Sequence, residues 1–242
     1  MDISAVERIY AQSWLIGAVM DSTPTVLALT SESALGYFHF PDYPRPAEAD
    51  FAVPHSSEGG TLEEQLRIGS GRAAASGGPG FRLVELTDSR ALFEYTGPLG
   101  RRSAAQPRLV LRFLRGESVL APVHGQLIHL FSDRPPGLAS AVSLDELAGR
   151  YLALYCLKPR ARDVFDLWFI LTHSEGQFDV KSAASVARQQ VAARGKSFKL
   201  ELDPSHRPWV EKAWENALKN VVRHPSFEQA EAEILLKVGD FA

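Results

Sequence analysis

Several protein classes are excluded by what this chain lacks. Cys156 is the one cysteine among 242 residues, so neither a disulfide framework nor a cysteine zinc site can form within one chain. It falls among apolar helical residues and reads as a small core side chain. There is no surplus of positive charge: 26 lysines and arginines face 29 acids, a formal net charge of -3. A global basic field of the kind that gathers nucleic acid is therefore absent, and any such contact needs a local patch. No apolar run approaches the ~20 residues of a membrane span. The opening MDISAVERIYAQSW is acidic and amphipathic and lacks the regions of a signal peptide. The expectation is a cytoplasmic protein with no membrane contact. No internal repeat is visible.

What is present is ordinary globular composition, 45% hydrophobic and 23% charged, enough for one large domain or two small ones. Residues 3–19 place Val6, Ile9, Tyr10, Trp14 and Leu15 on one helical face. Residues 25–29 (TVLAL) read as a buried strand, 31–38 as the start of a helix, and 50–53 as the next strand. Three prolines between Phe40 and Pro46 forbid regular structure there. Residues 61–68 read as a short helix with Thr61 and Glu64 as a capping box, and the Gly/Ala/Ser-rich stretch 69–80 as a mobile loop. Strand-like runs follow at 81–86, 91–95 and 109–114, with a basic loop holding Arg101 and Arg102 before the last, and one more at 127–131.

From Ser143 onward the pattern turns helical. Ser143 with Glu146 caps a helix that Pro159 closes, and 162–172 form the next. Residues 180–194 make a third and 208–222 a fourth, with Trp209, Ala213, Ala217 and Val221 on one stripe. Ser226 and Gln229 cap a fifth. The layout predicts an α+β fold: a mixed sheet with flanking helices over residues 1–140, then a helical bundle over 141–242.

Two groups of residues carry chemistry. In RPAEADF, alternation points Glu48 and Asp50 to the same side of a strand. Two such oxygen ligands can hold magnesium, which takes waters and substrate phosphates for its other positions; a solvated strand edge is the commoner meaning of such a pair. Upstream, Ser31 and Ser33 open a helix where hydroxyls and free amides can hold phosphate or simply cap. In SLDELAGRYLALYCLKPRARDVFDLWFIL, a basic elbow (Lys158, Arg160, Arg162) with Arg150 adjoins Asp163 and Asp166. These cations either line a groove for triphosphate or RNA backbone, or Arg150 pairs with Asp163 or Asp166 while the others are solvated. Phe165, Leu167, Trp168 and Ile170 are the apolar face of their helix. His55 and His124 read as loop residues with no metal role.

In order and spacing, VLALTSESAL, RPAEADFAV, LVLRFLRGESVLAP and the SLDELAGRYLALYCLKPRARDVFDLWFIL segment resemble the AbiEii/AbiGii family of nucleotidyltransferase toxins, the toxin half of abortive-infection toxin–antitoxin pairs. The Arg-Asp-x-x-Asp-Leu-Trp helix is the most specific part. The resemblance implies transfer of a nucleotide from a nucleoside triphosphate to an RNA or protein acceptor. Magnesium would sit on Glu48 and Asp50, and Ser31, Ser33, Arg45 and Arg150 would contact nucleotide. Asp50, Arg150 and Asp163 would be catalytic, and a cognate antitoxin would be the partner. The chain also departs from the family pattern. Ser31-Glu32 or its neighbours replace a glycine pair, Ala47 a serine or threonine, Glu48 an aspartate and Arg150 a lysine. A third acid expected near Val110 is missing. Arginine keeps the charge but does not readily give up a proton. These departures imply, as the alternative, a catalytically impaired protein acting as a nucleotide-binding or regulatory module.

Overall fold

The computed structural model describes residues 3–22, 27–53, 62–98, 106–116, 120–133, 137–174 and 176–239. The chain divides into two compact units, Met1–Val142 and Ser143–Ala242. Among the described residues no helix is long and apolar enough to cross a membrane.

The first unit is built on a seven-stranded mixed sheet. Its strands are β1 (Ala28–Leu29), β2 (Ala49–Val53), β3 (Gly80–Leu86), β4 (Arg90–Thr96), β5 (Arg108–Arg115), β6 (Val123–Gln126) and β7 (Leu138–Ala141). They lie in the order β3-β4-β5-β2-β1-β7-β6. The β2–β5 and β1–β7 pairings are parallel and the others antiparallel. Every residue of the central strand β2 is buried, which suits its short apolar composition and leaves Asp50 as the one charge within it. Phe51 stacks on its register partner Phe113 of β5, ring centroids 6.2 Å apart. Burying one such ring contributes about 1.5–3 kcal/mol.

Helices α1 (Ile3–Ser22) and α3 (Leu62–Ala75) pack on each other. The contact depends on Gly69, where a Cβ would stand 2.8 Å from the Cα of Val19. Residues 69–80 are thus largely not the mobile loop expected: α3 runs on to Ala75. Its closing Ala73-Ala74-Ala75 run is strongly helix-forming, and Gly69 is kept for close packing rather than for a turn. Between β1 and β2 a short α2 (Ser31–Ala34) passes into one π-helical turn, Leu35–His39.

A second difference concerns residues 127–131, which form no strand. The ladder strand lies earlier, at β6, and closes on β7, whose small residues gave no strand signal. Leu127 and Ile128 instead donate to the carbonyls of Gly137 and Tyr37 at 2.9 and 2.7 Å. Thr61, His55, Arg101 and Arg102 lie outside the described residues, as does the start of the 25–29 run.

Among the described residues the regular structure of the second unit is helical: α4 (Leu144–Leu157), α5 (Ala161–His173), α6 (Val180–Ala192), α7 (Arg207–Leu218) and α8 (Phe227–Val238). Gly149 brings α4 onto α6, since a Cβ there would stand 2.5 Å from the Ala183 carbonyl. Ser143 accepts the Glu146 amide, and Ser226 with Gln229 forms a reciprocal capping box. On α7 the buried stripe is Val210, Trp214 and Leu218, one residue on from the expected one. Trp209 is 72% exposed. The larger apolar set wins the core, and Trp214 also finds a partner for its indole N–H in the Pro225 carbonyl at 3.0 Å. Cys156 is only partly buried, yet burial pushes its thiol up to about 11, which keeps it protonated at neutral pH.

Candidate active site

The turn after β1 and the start of β2 are tied together through the backbone. Thr30 donates its amide to the Asp50 carbonyl at 3.0 Å. The Ser33 hydroxyl accepts the Asp50 amide at 2.8 Å and donates to the Glu48 carbonyl at 3.4 Å. Thr30 and Ser33 are both fully buried. The Ser33 hydroxyl therefore latches the turn to the acidic strand rather than capping its own helix. Ser31 sits at φ 51°, the one non-glycine residue with positive φ among those described. That region is costly for a residue with a Cβ, and it lies in the segment where the family resemblance expects a glycine pair.

Glu48 and Asp50 meet on one cation that sequence reasoning did not name. Asp50 is opposite Arg112 in the parallel β2–β5 register. Nε and Nη2 of Arg112 donate to the two oxygens of Asp50, each at 2.6 Å. Nε also lies 3.2 Å from Glu48 Oε2. The Asp50 side chain is 5% exposed and that of Arg112 50%. Arg90 stands opposite Arg112 on the β4 side and pairs with Glu85 instead, at 2.7 Å. Like charge on one flank and unlike on the other direct the Arg112 fork toward β2. The Asp50 hydrogen bond, aided by the charges of Asp50, Glu48 and Glu32, pushes the guanidinium pKa up despite desolvation. The sequence signal was available: one charge inside the apolar run LVLRFL. Its meaning depended on a register across 62 residues.

The other expected site residues are held by local contacts. Arg45 donates to the carbonyls of Tyr43 and Pro41 at 3.1 and 3.3 Å and lies over the Tyr37 ring at 5.3 Å. Burial lowers its pKa. It staples the proline-rich loop. In the second unit, Arg150 pairs with Glu146 one turn back, at 2.5 Å. Asp163, 3% exposed, accepts the Arg160 amide at 2.8 Å and the Arg160 guanidinium at 2.7 Å, so from the third position of α5 it reaches back to the amide of the N-cap residue Arg160. Arg162 reaches Asp166 at 3.2 Å and is itself only 18% exposed. Spacings of three and four residues bring these partners together within one turn. His124 bonds Ser140 at 2.8 Å. Phe165, Leu167 and Ile170 are buried, while Trp168 donates to Glu233 at 2.6 Å.

Magnesium does not fit this edge as it is arranged. Both Asp50 oxygens already accept from one cation, and a divalent ion there would meet the guanidinium at close range. Among the described residues no three histidine, cysteine, aspartate or glutamate side chains gather as a metal site.

No curated protein matches the sequence. Among solved structures the fold is similar to MenT4, a nucleotidyltransferase toxin from Mycobacterium tuberculosis H37Rv. The TM-score is 0.58 at 14% identity, over 98% of this chain and 93% of that one. At that identity the likeness establishes the fold, a mixed sheet with helices of the nucleotidyltransferase-toxin type. The family model described as nucleotidyl transferase AbiEii toxin of type IV toxin–antitoxin systems matches residues 48–233, from Glu48 through most of the helical unit. That family implies a nucleotide substrate and a cognate antitoxin, and its members usually use a divalent metal. The chain belongs to the AbiEii family of nucleotidyltransferase toxins.

Proposed function

We propose that this chain recognises a nucleoside triphosphate at the acidic edge of β2 and transfers its nucleotide to an RNA or protein acceptor. The observation that carries this reading is the latch between the 30–33 turn and β2. Ser33 and Thr30 bond the backbone of Asp50 and hold a strained Ser31 beside the carboxylate strand. Strain of this kind persists where surrounding structure over-determines it, and it concentrates at ligand-binding sites. Incubation with labelled nucleoside triphosphates, magnesium and total RNA or protein tests the proposal. Label transfer that is lost in Asp50→Ala is expected, and transfer unchanged in that variant refutes it.

The Asp50–Arg112 pair favours a second reading, a family member that binds nucleotide without turning it over and acts as a regulatory module. Calorimetry with the same nucleotides separates the two. Saturable binding with no transfer supports the module, and measurable turnover eliminates it.

A further inference from the structure

We infer that Arg112 is a resident cation that fills the place of a divalent metal between Glu48 and Asp50. The isolated protein then holds no divalent ion at this edge until the guanidinium is removed. The inference deepens the reading of the β2 edge as the nucleotide site, and rests on it.

The argument starts from the buried acid. Asp50 lies inside a strand buried along its whole length, and a carboxylate so placed needs a positive partner. A divalent ion with oxygen ligands answers that need, and so does an arginine fork, which matches a carboxylate edge with two parallel donors. Here the fork is in place, with donor distances of 2.6 Å to each oxygen. At this length the bonds are charge-assisted and strong. The second carboxylate, Glu48, lies against the same guanidinium at 3.2 Å, so one cation bridges both acids much as a metal would. The cation is also fixed by the fold. Arg112 is the register partner of Asp50, and the hydrogen-bond ladder between β2 and β5 holds the two Cα atoms opposite each other. Arg90 on its other flank is taken up by Glu85 and offers no competing acceptor. A metal approaching Asp50 therefore has to displace a tethered charge, whose effective concentration is that of a neighbour in the same sheet.

The direct test is Mn2+ binding, followed by its paramagnetic resonance signal, to the full chain without nucleotide. Wild type is expected to show no saturable site in the range where Arg112→Gln does. Arg112→Gln should bind Mn2+ at least about tenfold more tightly, because the like charge beside the ligands is gone. The gain should vanish when Asp50→Asn is added. Equal affinity in wild type and Arg112→Gln overturns the inference, as does a gain that survives Asp50→Asn. Should Arg112→Gln not fold by circular dichroism, wild type and Glu48→Gln decide. No difference between them is expected, and a wild-type Mn2+ site abolished by Glu48→Gln overturns the inference. The readout contains no nucleotide. A gain of Mn2+ binding in a protein that binds no nucleoside triphosphate would keep the inference and remove the proposed function.

Discussion

Arg112 grips Asp50 through both oxygens, yet the two residues differ in how far water reaches them: the aspartate side chain is 5% exposed and the arginine 50%. Removing one partner is therefore not equivalent to removing the other. Arg112→Ala leaves a buried carboxylate without its counter-charge, and truncating one partner of a fully buried pair costs about 3–5 kcal/mol. Half exposure of the arginine lowers this to about 2 kcal/mol, since water can reach the vacated space. Asp50→Ala leaves a half-exposed guanidinium that resolvates and still faces Glu48, for a loss of about 1 kcal/mol. Urea unfolding of both variants checks the order. A greater loss in Asp50→Ala would mean that the aspartate contributes through something other than this pair.

Ser31 gives a prediction of opposite sign. At φ 51° it occupies the left-handed region, which costs a residue with a Cβ roughly 1 kcal/mol and glycine almost nothing. Ser31→Gly should raise stability by up to about 1 kcal/mol, less the entropy glycine adds to the unfolded chain. Ser31→Val, β-branched at the same φ, should lower it by more than that. Thermal unfolding of the pair checks both. A destabilised glycine variant would place the importance of Ser31 in its hydroxyl rather than its backbone.

These two positions also mark what could and could not be read in advance. The acidic pair was legible because two acids one residue apart are a local feature, and Glu48 and Asp50 do share a partner, although Glu48 precedes β2 and strand alternation is not what aligns them. Arg112 was not, because its role depends on which residue of a strand some 60 positions away stands opposite Asp50. No local pattern encodes that pairing. The helical unit was legible in its caps: Ser226 and Gln229 make the reciprocal box their spacing predicts. Charge pairing was less so. Arg150 has acids both within its own helix and on the next, and it pairs with Glu146 one turn back in its own helix. The α7 stripe failed for a similar reason. Two apolar stripes one residue apart fit the same periodicity, and only packing selects Trp214 over Trp209.

Asp163 carries a structural duty that any catalytic test must allow for. Its carboxylate accepts the Arg160 backbone amide and closes the first turn of α5. Asp163→Ala removes the acceptor and leaves that amide and the Arg160 guanidinium without it, which should cost about 1–2 kcal/mol. Asp163→Asn keeps an acceptor oxygen and should cost less than about 1 kcal/mol. Denaturant midpoints of the two, measured beside any transfer assay, check this. An alanine variant as stable as wild type would show that the cap contributes nothing, and would leave a functional explanation for the residue.

His39 ties stability to pH. It is mostly buried, and its Nε2 lies 2.8 Å from the Val142 carbonyl, so the neutral ring donates there. Burial lowers its pKa below the usual 6.5, with the carbonyl bond opposing in part. The sign follows from which state takes up the proton. Below pH 6.5 the unfolded chain protonates this imidazole while the folded chain still resists. Stability attributable to His39 is therefore constant above about pH 6.5 and falls as the pH drops from there toward the depressed folded value. His39→Gln keeps a donor to Val142 and removes the titration. Its stability at pH 7.5 should lie within about 1 kcal/mol of wild type, and its loss between pH 6.5 and 5.5 should be visibly smaller. Unfolding free energies at those three pH values decide the matter, and parallel curves for the two proteins would mean that the acid sensitivity comes from other groups.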